Sequence, residues 1–348
     1  MKRRIRDYGI QIGKLKTGVL NKITDVKGVT VGHSTVSQGD IQTGVTAILP
    51  HQGNIFREKV IGAVNVINGF GKSIGTVQIN ELGTIETPIL LTNTLSVGTA
   101  AESLIKYSLE LNKEIGNTTG TVNPVVGECN DMYLNDIRQM VINEKHVIEA
   151  LNSATDNFVE GAIGAGRGMR CFDLKGGIGS SSRVLELEHG TYTIGVLVLS
   201  NFGRLDQFRL NGSNVGKQLA HLIKNKSDKD QGSIMMIVAT DLPVSHRQLK
   251  RIGKRASVGL SRTGSFFGNG SGDIVISFST AQKILHDHKG RLHHLLAVDD
   301  EDLDLAFEAV ADATEEAIYN SLICSETTTG REGRTLYSLA DFMEEISY

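Results

Sequence analysis

Apolar positions come in short runs cut by glycine through the first half of the chain. TGVTAILP (43–50), KVIGAVNVINGFG (59–71) and TPILLTN (87–93) read as buried or half-buried strands separated by turns. The spacing of Ala100, Leu104, Tyr107, Ser108 and Leu111 predicts a helix from Ser96 to about Leu111. Glycine dominates 161–182, and YTIGVLVLS at 192–200 then predicts a strong strand. Residues 224–231, KNKSDKDQ, are entirely polar and read as an exposed loop. Directly after them come Gly232, Ser233 and the apolar run IMMIVAT, which puts the serine at the first position of a buried strand. Ser245 and Gln248 have the form of a capping box, and Leu249, Ile252, Ala256 and Leu260 then mark one helical face. GNGSG at 268–272 turns into the strand DIVISFST. The longest helix is expected over 301–322, with Leu303, Phe307, Val310, Ala317 and Leu322 on its buried stripe. Periodicity alone gives a mixed α/β or α+β fold and no topology.

Composition narrows the class. The chain has 348 residues, a formal net charge of −3 and 40% apolar residues, the balance of a globular protein large enough for a substantial core. No single-sign field covers it, so neither nucleic acid nor a membrane is expected as partner, and the basic residues around 247–255 read as a solvated helix face. Cys129, Cys171 and Cys324 are odd in number and far apart, so neither a disulfide framework nor a Cys metal site is expected and a reducing compartment fits; Cys129 and Cys171 read as small packing residues. The basic start lacks the apolar stretch of a signal peptide, and no run reaches the ~20 apolar residues of a membrane helix. A cytoplasmic location is expected.

Several motifs fail on inspection. Gly71-Lys72-Ser73 ends like a phosphate-binding loop, but Val66 stands where that loop needs its first glycine. Gly164-Ala165-Gly166-Arg167-Gly168 lacks the dinucleotide spacing. The 10 histidines form no zinc pair, and no nucleophile elbow is present.

Gly232-Ser233 survives. A serine hydroxyl is a weak nucleophile without a base, but a serine at a chain start has an α-amine beside it that titrates near ~8. Such a serine must be freed from a precursor, which asks for a small residue before it, a loop that bends and a rigid strand after it. Taken alone, Gly-Ser before a strand is also an ordinary turn.

Six ordered blocks add to that reading: TGVTAILP (43–50), PVVGECND–YLND (124–136), GAGRGM–C–KGGIGSSSR (164–183), GVLVLSNFG (195–203), GSIMMIVATD (232–241) and RTGSFFGNGSGDI (262–274). From about residue 21 to 281 the chain resembles the DmpA family of L-aminopeptidase/D-esterases and β-peptidyl aminopeptidases, self-processed N-terminal-nucleophile serine hydrolases. The resemblance implies a four-layer αββα sandwich, an α+β fold of the DmpA/ornithine-acetyltransferase type. A single domain, 1–348, would be cut at Gly232–Ser233 into 1–232 and 233–348. Ser233 resembles the nucleophile, Ser271 and Asp273 the polar pair around it, and Asn201 the oxyanion donor. Some relatives carry Glu where Asp273 stands, so its reach is one methylene shorter. Glu128 and Tyr133 resemble substrate-facing groups, Glu128 toward the substrate's ammonium. The substrates implied are small peptides, amino-acid amides or esters, with no metal or cofactor and a homo-oligomeric state. The sequence leaves open the choice among L-α, D-α and β-amino acids. Two alternatives share the fold: an acyltransferase related to ornithine acetyltransferase, whose nucleophile is Thr, and a non-catalytic binding protein.

Overall fold

The computed structural model describes residues 3–223, 232–287, 292 and 294–348, so the polar stretch 224–231 lies outside the described residues. In chain order the first half gives β1 (Thr30–Gln38), β2 (Ile41–Leu49), β3 (Glu58–Gly69), α1 (Thr76–Leu82) and β4 (Thr84–Ile85). Then come β5 (Ile89–Asn93), α2 (Val97–Leu111), β6 (Val125–Cys129), α3 (Glu144–Asn152), β7 (Arg170–Cys171) and β8 (Leu174–Lys175). The second half gives β9 (Gly177–Leu187), β10 (Gly190–Asn201), α4 (Val215–Leu222), β11 (Ser233–Thr240), α5 (His246–Lys254), α6 (Ala256–Arg262), β12 (Gly272–Leu285) and α7 (Leu303–Ile323).

Two sheets stack face to face. One runs β1-β2-β5-β6 and the other β4-β3-β12-β11-β10-β9. Between them Val31, Ile48, Leu91 and Val125 of the first meet Leu197, Met235, Ile237 and Ile276 of the second. Side chains this deeply buried contribute about 1.5–3 kcal/mol each. The outer face of the first sheet carries α2 and α3 through Ala100, Leu104, Val147 and Ala150. The outer face of the second carries α5, α6 and α7 through Leu249, Ile252, Leu260, Val310 and Ile318. The order helix, sheet, sheet, helix is the αββα sandwich expected.

Two helices differ from the pattern reading. The stripe Leu249–Leu260 is split at Arg255, whose amide bonds three residues back to Ile252 (2.9 Å) and tightens the turn. Ser245 and Gln248 form the reciprocal cap that starts α5, at 3.3 and 3.0 Å. The long helix is not one stripe but buried on all sides from Ala309 to Ile323. The N-terminal segment causes this: Ile5, Ile10 and Ile12 cover its outer face, and the Ile5 amide donates to Asn320 Oδ1 (3.0 Å). Glu316 of α7 is buried between this segment and β9, with Arg6 (2.7 Å), Arg183 (2.7 Å) and Asn21. Burial alone would raise the Glu316 carboxyl; the two guanidinia and the amide overcome it and hold the group below its ordinary value.

The topology interlocks the chain around Gly232. β11 and β12, which follow it, fill the middle of the six-stranded sheet between β3 and β10, which precede it. Neither portion could keep its sheet without the other.

Candidate active site

Strand register builds the site. β10 and β11 are antiparallel and set Asn201 opposite Ser233, each at the end of its strand. β11 and β12 are parallel and set Ser233 beside Gly272, so Ser271 and Asp273 flank it from the next strand. A bulge between Asp273 and Ile274 shifts the pairing of β12 with β3 at this point. Sequence positions 201, 233 and 271–273 thus meet at one sheet end.

The Ser233 hydroxyl is buried and donates to the carbonyl oxygen of Gly232 (2.6 Å). The Gly272 amide lies 3.3 Å from that same carbonyl oxygen and 3.2 Å from Ser233 Oγ. Gly232 has no room for a side chain: a Cβ there would lie 2.2 Å from the Asn201 carbonyl oxygen. The Ser271 hydroxyl donates to Asp273 Oδ1 (2.6 Å), and both residues are buried. Asn201 is clamped at both ends of its amide. Its Oδ1 accepts the Arg170 N–H (2.9 Å), and its Nδ2 donates to the Asn130 carbonyl (3.1 Å).

A cavity of about 350 Å³ opens on Ser233, lined also by Gly232, Asn201, Glu128 and Tyr133. Glu128 is buried at the end of β6, where Oε1 accepts the Lys72 N–H (2.9 Å) and Oε2 the Thr94 hydroxyl. Tyr133 lies under two guanidinia, those of Arg170 and Arg334. Cys129 faces away, with its thiol on the Leu199 carbonyl (3.5 Å), and burial beside Glu128 pushes that thiol well up. It is a packing group.

The structure adds residues that the sequence reading passed over. Lys72 belongs to the rejected phosphate-loop match, and its amide holds the Glu128 carboxylate. Arg170 falls in a gap of the 164–183 block, whereas Thr94 and Arg334 carry no signal in one sequence. Gly272 was read only as a turn residue. Among the described residues no three His, Cys, Asp or Glu side chains gather where they could hold a metal.

The profile of peptidase family S58 matches residues 21–336, beyond the 281 at which the block resemblance ends. The chain belongs to peptidase family S58. Among curated proteins it is 37% identical to the beta-peptidyl aminopeptidase BapA of Sphingosinicella microcystinivorans, covering 97% of this chain and 89% of that one. Among solved structures the PH0078 protein from Pyrococcus horikoshii OT3 superposes with a TM-score of 0.93 at 50% identity, covering 98% of each chain. The L-aminopeptidase D-Ala-esterase/amidase of Ochrobactrum anthropi, described as a variant of the Ntn hydrolase fold, gives 0.90 at 35% identity over 97% and 96% of the two chains. The expected DmpA relationship and fold are borne out. This S58 member is a serine hydrolase of the N-terminal-nucleophile type, and neither the transferase nor the binding-protein alternative is favoured.

Proposed function

We propose that the chain cuts itself between Gly232 and Ser233, and that Ser233 then removes the first residue from small peptides, amino-acid amides or esters. The observation that carries this is the Ser233 hydroxyl held on its own preceding carbonyl at the end of the nucleophile strand, facing a cavity that contains a buried carboxylate.

In self-cleavage Oγ attacks the Gly232 carbonyl carbon, and the Gly272 N–H takes up the charge that develops on the oxygen. The C–N bond breaks as the Ser233 nitrogen gains the proton lost by Oγ. Water then hydrolyses the ester, which leaves a free α-amine on Ser233 and a carboxylate on Gly232. That amine, near ~8 in an ordinary chain, is the general base for turnover. Ser271 and Asp273 hold its protonated form. Asn201 donates to the oxyanion of the substrate, and Glu128 binds the substrate's ammonium, which selects a free N-terminus. An acyl-enzyme on Ser233 forms and water releases it.

The two fragments, 1–232 and 233–348, stay together through the shared sheet. A homo-oligomer is expected, supported by exposed Val66, Val77 and Leu82 around β3 and α1. A cytoplasmic location is supported by the three cysteines, all buried as packing residues in the core. No helix among the described residues is long and apolar enough to cross a membrane.

The test is turnover of an aminoacyl-p-nitroanilide in plain buffer. The wild type releases p-nitroaniline without any added acceptor and Ser233→Ala does not. Turnover that depends on an added amine acceptor would point to acyl transfer instead.

A further inference from the structure

Two arginines from distant parts of the chain converge on one wall of the cavity. Arg170, on the β7–β8 hairpin, has its guanidinium carbon 4.4 Å from the centre of the Tyr133 ring. Arg334, which follows the proposed cut, lies 5.4 Å from the same centre. The turn that carries Arg334 is docked rather than loose. The Arg331 amide donates to the Leu134 carbonyl (2.7 Å), and a Cβ on Gly330 would lie 2.2 Å from that oxygen. Backbone at Leu134 therefore fixes this turn beside Tyr133.

Both guanidinia are held by a carboxylate, which uses fewer than the five donors each carries. Asp173 pairs with Arg170, whose Nε is buried with no hydrogen-bond partner among the described residues. Glu332 pairs with Arg334, which also reaches the Tyr133 carbonyl at 3.4 Å. A guanidinium has five N–H donors in a planar fork that matches a carboxylate. Charge inside the cavity is also one-sided. Lys72, Arg170 and Arg334 line it against two lining carboxylates, Glu128 and Asp173, with Glu332 behind Arg334. Once a substrate ammonium occupies Glu128, a net positive charge remains on the lining, which a neutral leaving group leaves unmatched.

We propose that the Arg170–Tyr133–Arg334 wall binds the C-terminal carboxylate of the substrate, so that the enzyme selects dipeptides with a free carboxylate over amides and longer peptides. This rests on the reading that Ser233 releases an N-terminal residue anchored by Glu128. Size agrees. The cavity is at the small end of ligand pockets, which run from about 300 to 1,000 Å³. An extended dipeptide spans only ~7 Å.

The experiment compares kcat/KM for L-Ala-L-Ala and its C-terminal amide, and for the β-Ala-L-Ala pair, so that preference for the first residue does not decide the result. In the wild type the free acid is favoured roughly 10- to 100-fold, the range of a charge-assisted contact. Arg334→Gln brings the acid-to-amide ratio near one, and Arg334→Lys falls between. Lys145→Gln, an exposed cation at the start of α3, keeps the wild-type ratio. The ratio is independent of the folded fraction, so a poorly folding variant still reports. A wild-type ratio near one, or a ratio that survives Arg334→Gln, overturns the proposal. An alanyl-p-nitroanilide, which has no carboxylate, runs alongside: its turnover with a ratio near one sinks this inference alone. Silence on every substrate sinks the aminopeptidase reading, and this one with it.

Discussion

Replacing Asn201 by Ala removes one side-chain amide and tests whether it stabilises the oxyanion. The Asn130 carbonyl takes one hydrogen of Nδ2, and the Arg170 amide fixes Oδ1. The side chain cannot rotate without breaking both bonds, so its second Nδ2 hydrogen is preorganised at no cost during reaction. Loss of a donor of this kind costs about 2.7–4 kcal/mol, or roughly 100- to 1,000-fold in kcat. Because charge develops on the substrate oxygen only in the transition state, the loss falls on kcat while KM stays within a few-fold. Alanine also removes the partner of the Arg170 amide and the Asn130 carbonyl; both bonds are only part-buried, so the stability lost is about 0.5–1.5 kcal/mol each. Kinetics are therefore normalised to the processed, folded fraction by intact mass and circular dichroism. Asn201→Asp keeps an acceptor for Arg170 but replaces the donor by an anion, and its kcat falls at least as far. A variant Asn201→Ala that keeps kcat within about tenfold, or loses activity through KM alone, refutes the oxyanion assignment.

Gly232→Ala puts a Cβ 2.2 Å from the Asn201 carbonyl oxygen and 2.6 Å from Phe202 Cα, backbone that cannot yield, so most of that chain stays uncut on a denaturing gel when the wild type has matured. Glu316→Ala strands the Arg183 guanidinium, which is fully buried, and lowers stability by about 3–5 kcal/mol, read as a lower urea midpoint. The Asp131 carboxyl, raised to about 7 by burial against the weaker pull of Thr43 and Asn135, favours the protonated state in the fold. Its folded value lies above the unfolded ~3.9, so its contribution is complete below pH ~4 and is lost as pH rises through about 7. Urea unfolding across that window shows wild-type stability falling relative to Asp131→Asn, and parallel curves for the two would contradict the assignment.

Ser233 was legible as the first residue of a buried strand behind a glycine, because strand periodicity and a turn signal are local. Asn201 was legible as the residue ending a strand. Their meeting was not, since register between strands far apart in sequence leaves no trace in either strand; the family blocks supplied it. Asp273 was placed by its block, but the parallel pairing of β11 with β12 that brings it beside Ser233 is a tertiary fact. Glu128 could be named from its block, whereas Lys72 and Thr94, which hold it, come from two other segments. Arg334 escaped because its turn is recognisable only once docked on Leu134. The long helix was legible, but the burial of its outer face was not. The N-terminal segment covers α7 and turns an amphipathic helix into a buried one, and no pattern within the helix announces its cover.

The central claim is that Ser233 becomes an N-terminus by cutting its own chain. Intact mass of purified wild type beside Ser233→Ala tests it most directly. The account predicts two fragments from the wild type, about two thirds and one third of the 37.6 kDa chain, the smaller beginning at Ser233, and one uncut chain from the variant. An active wild type of full mass, or a variant cut at the same bond, would contradict it.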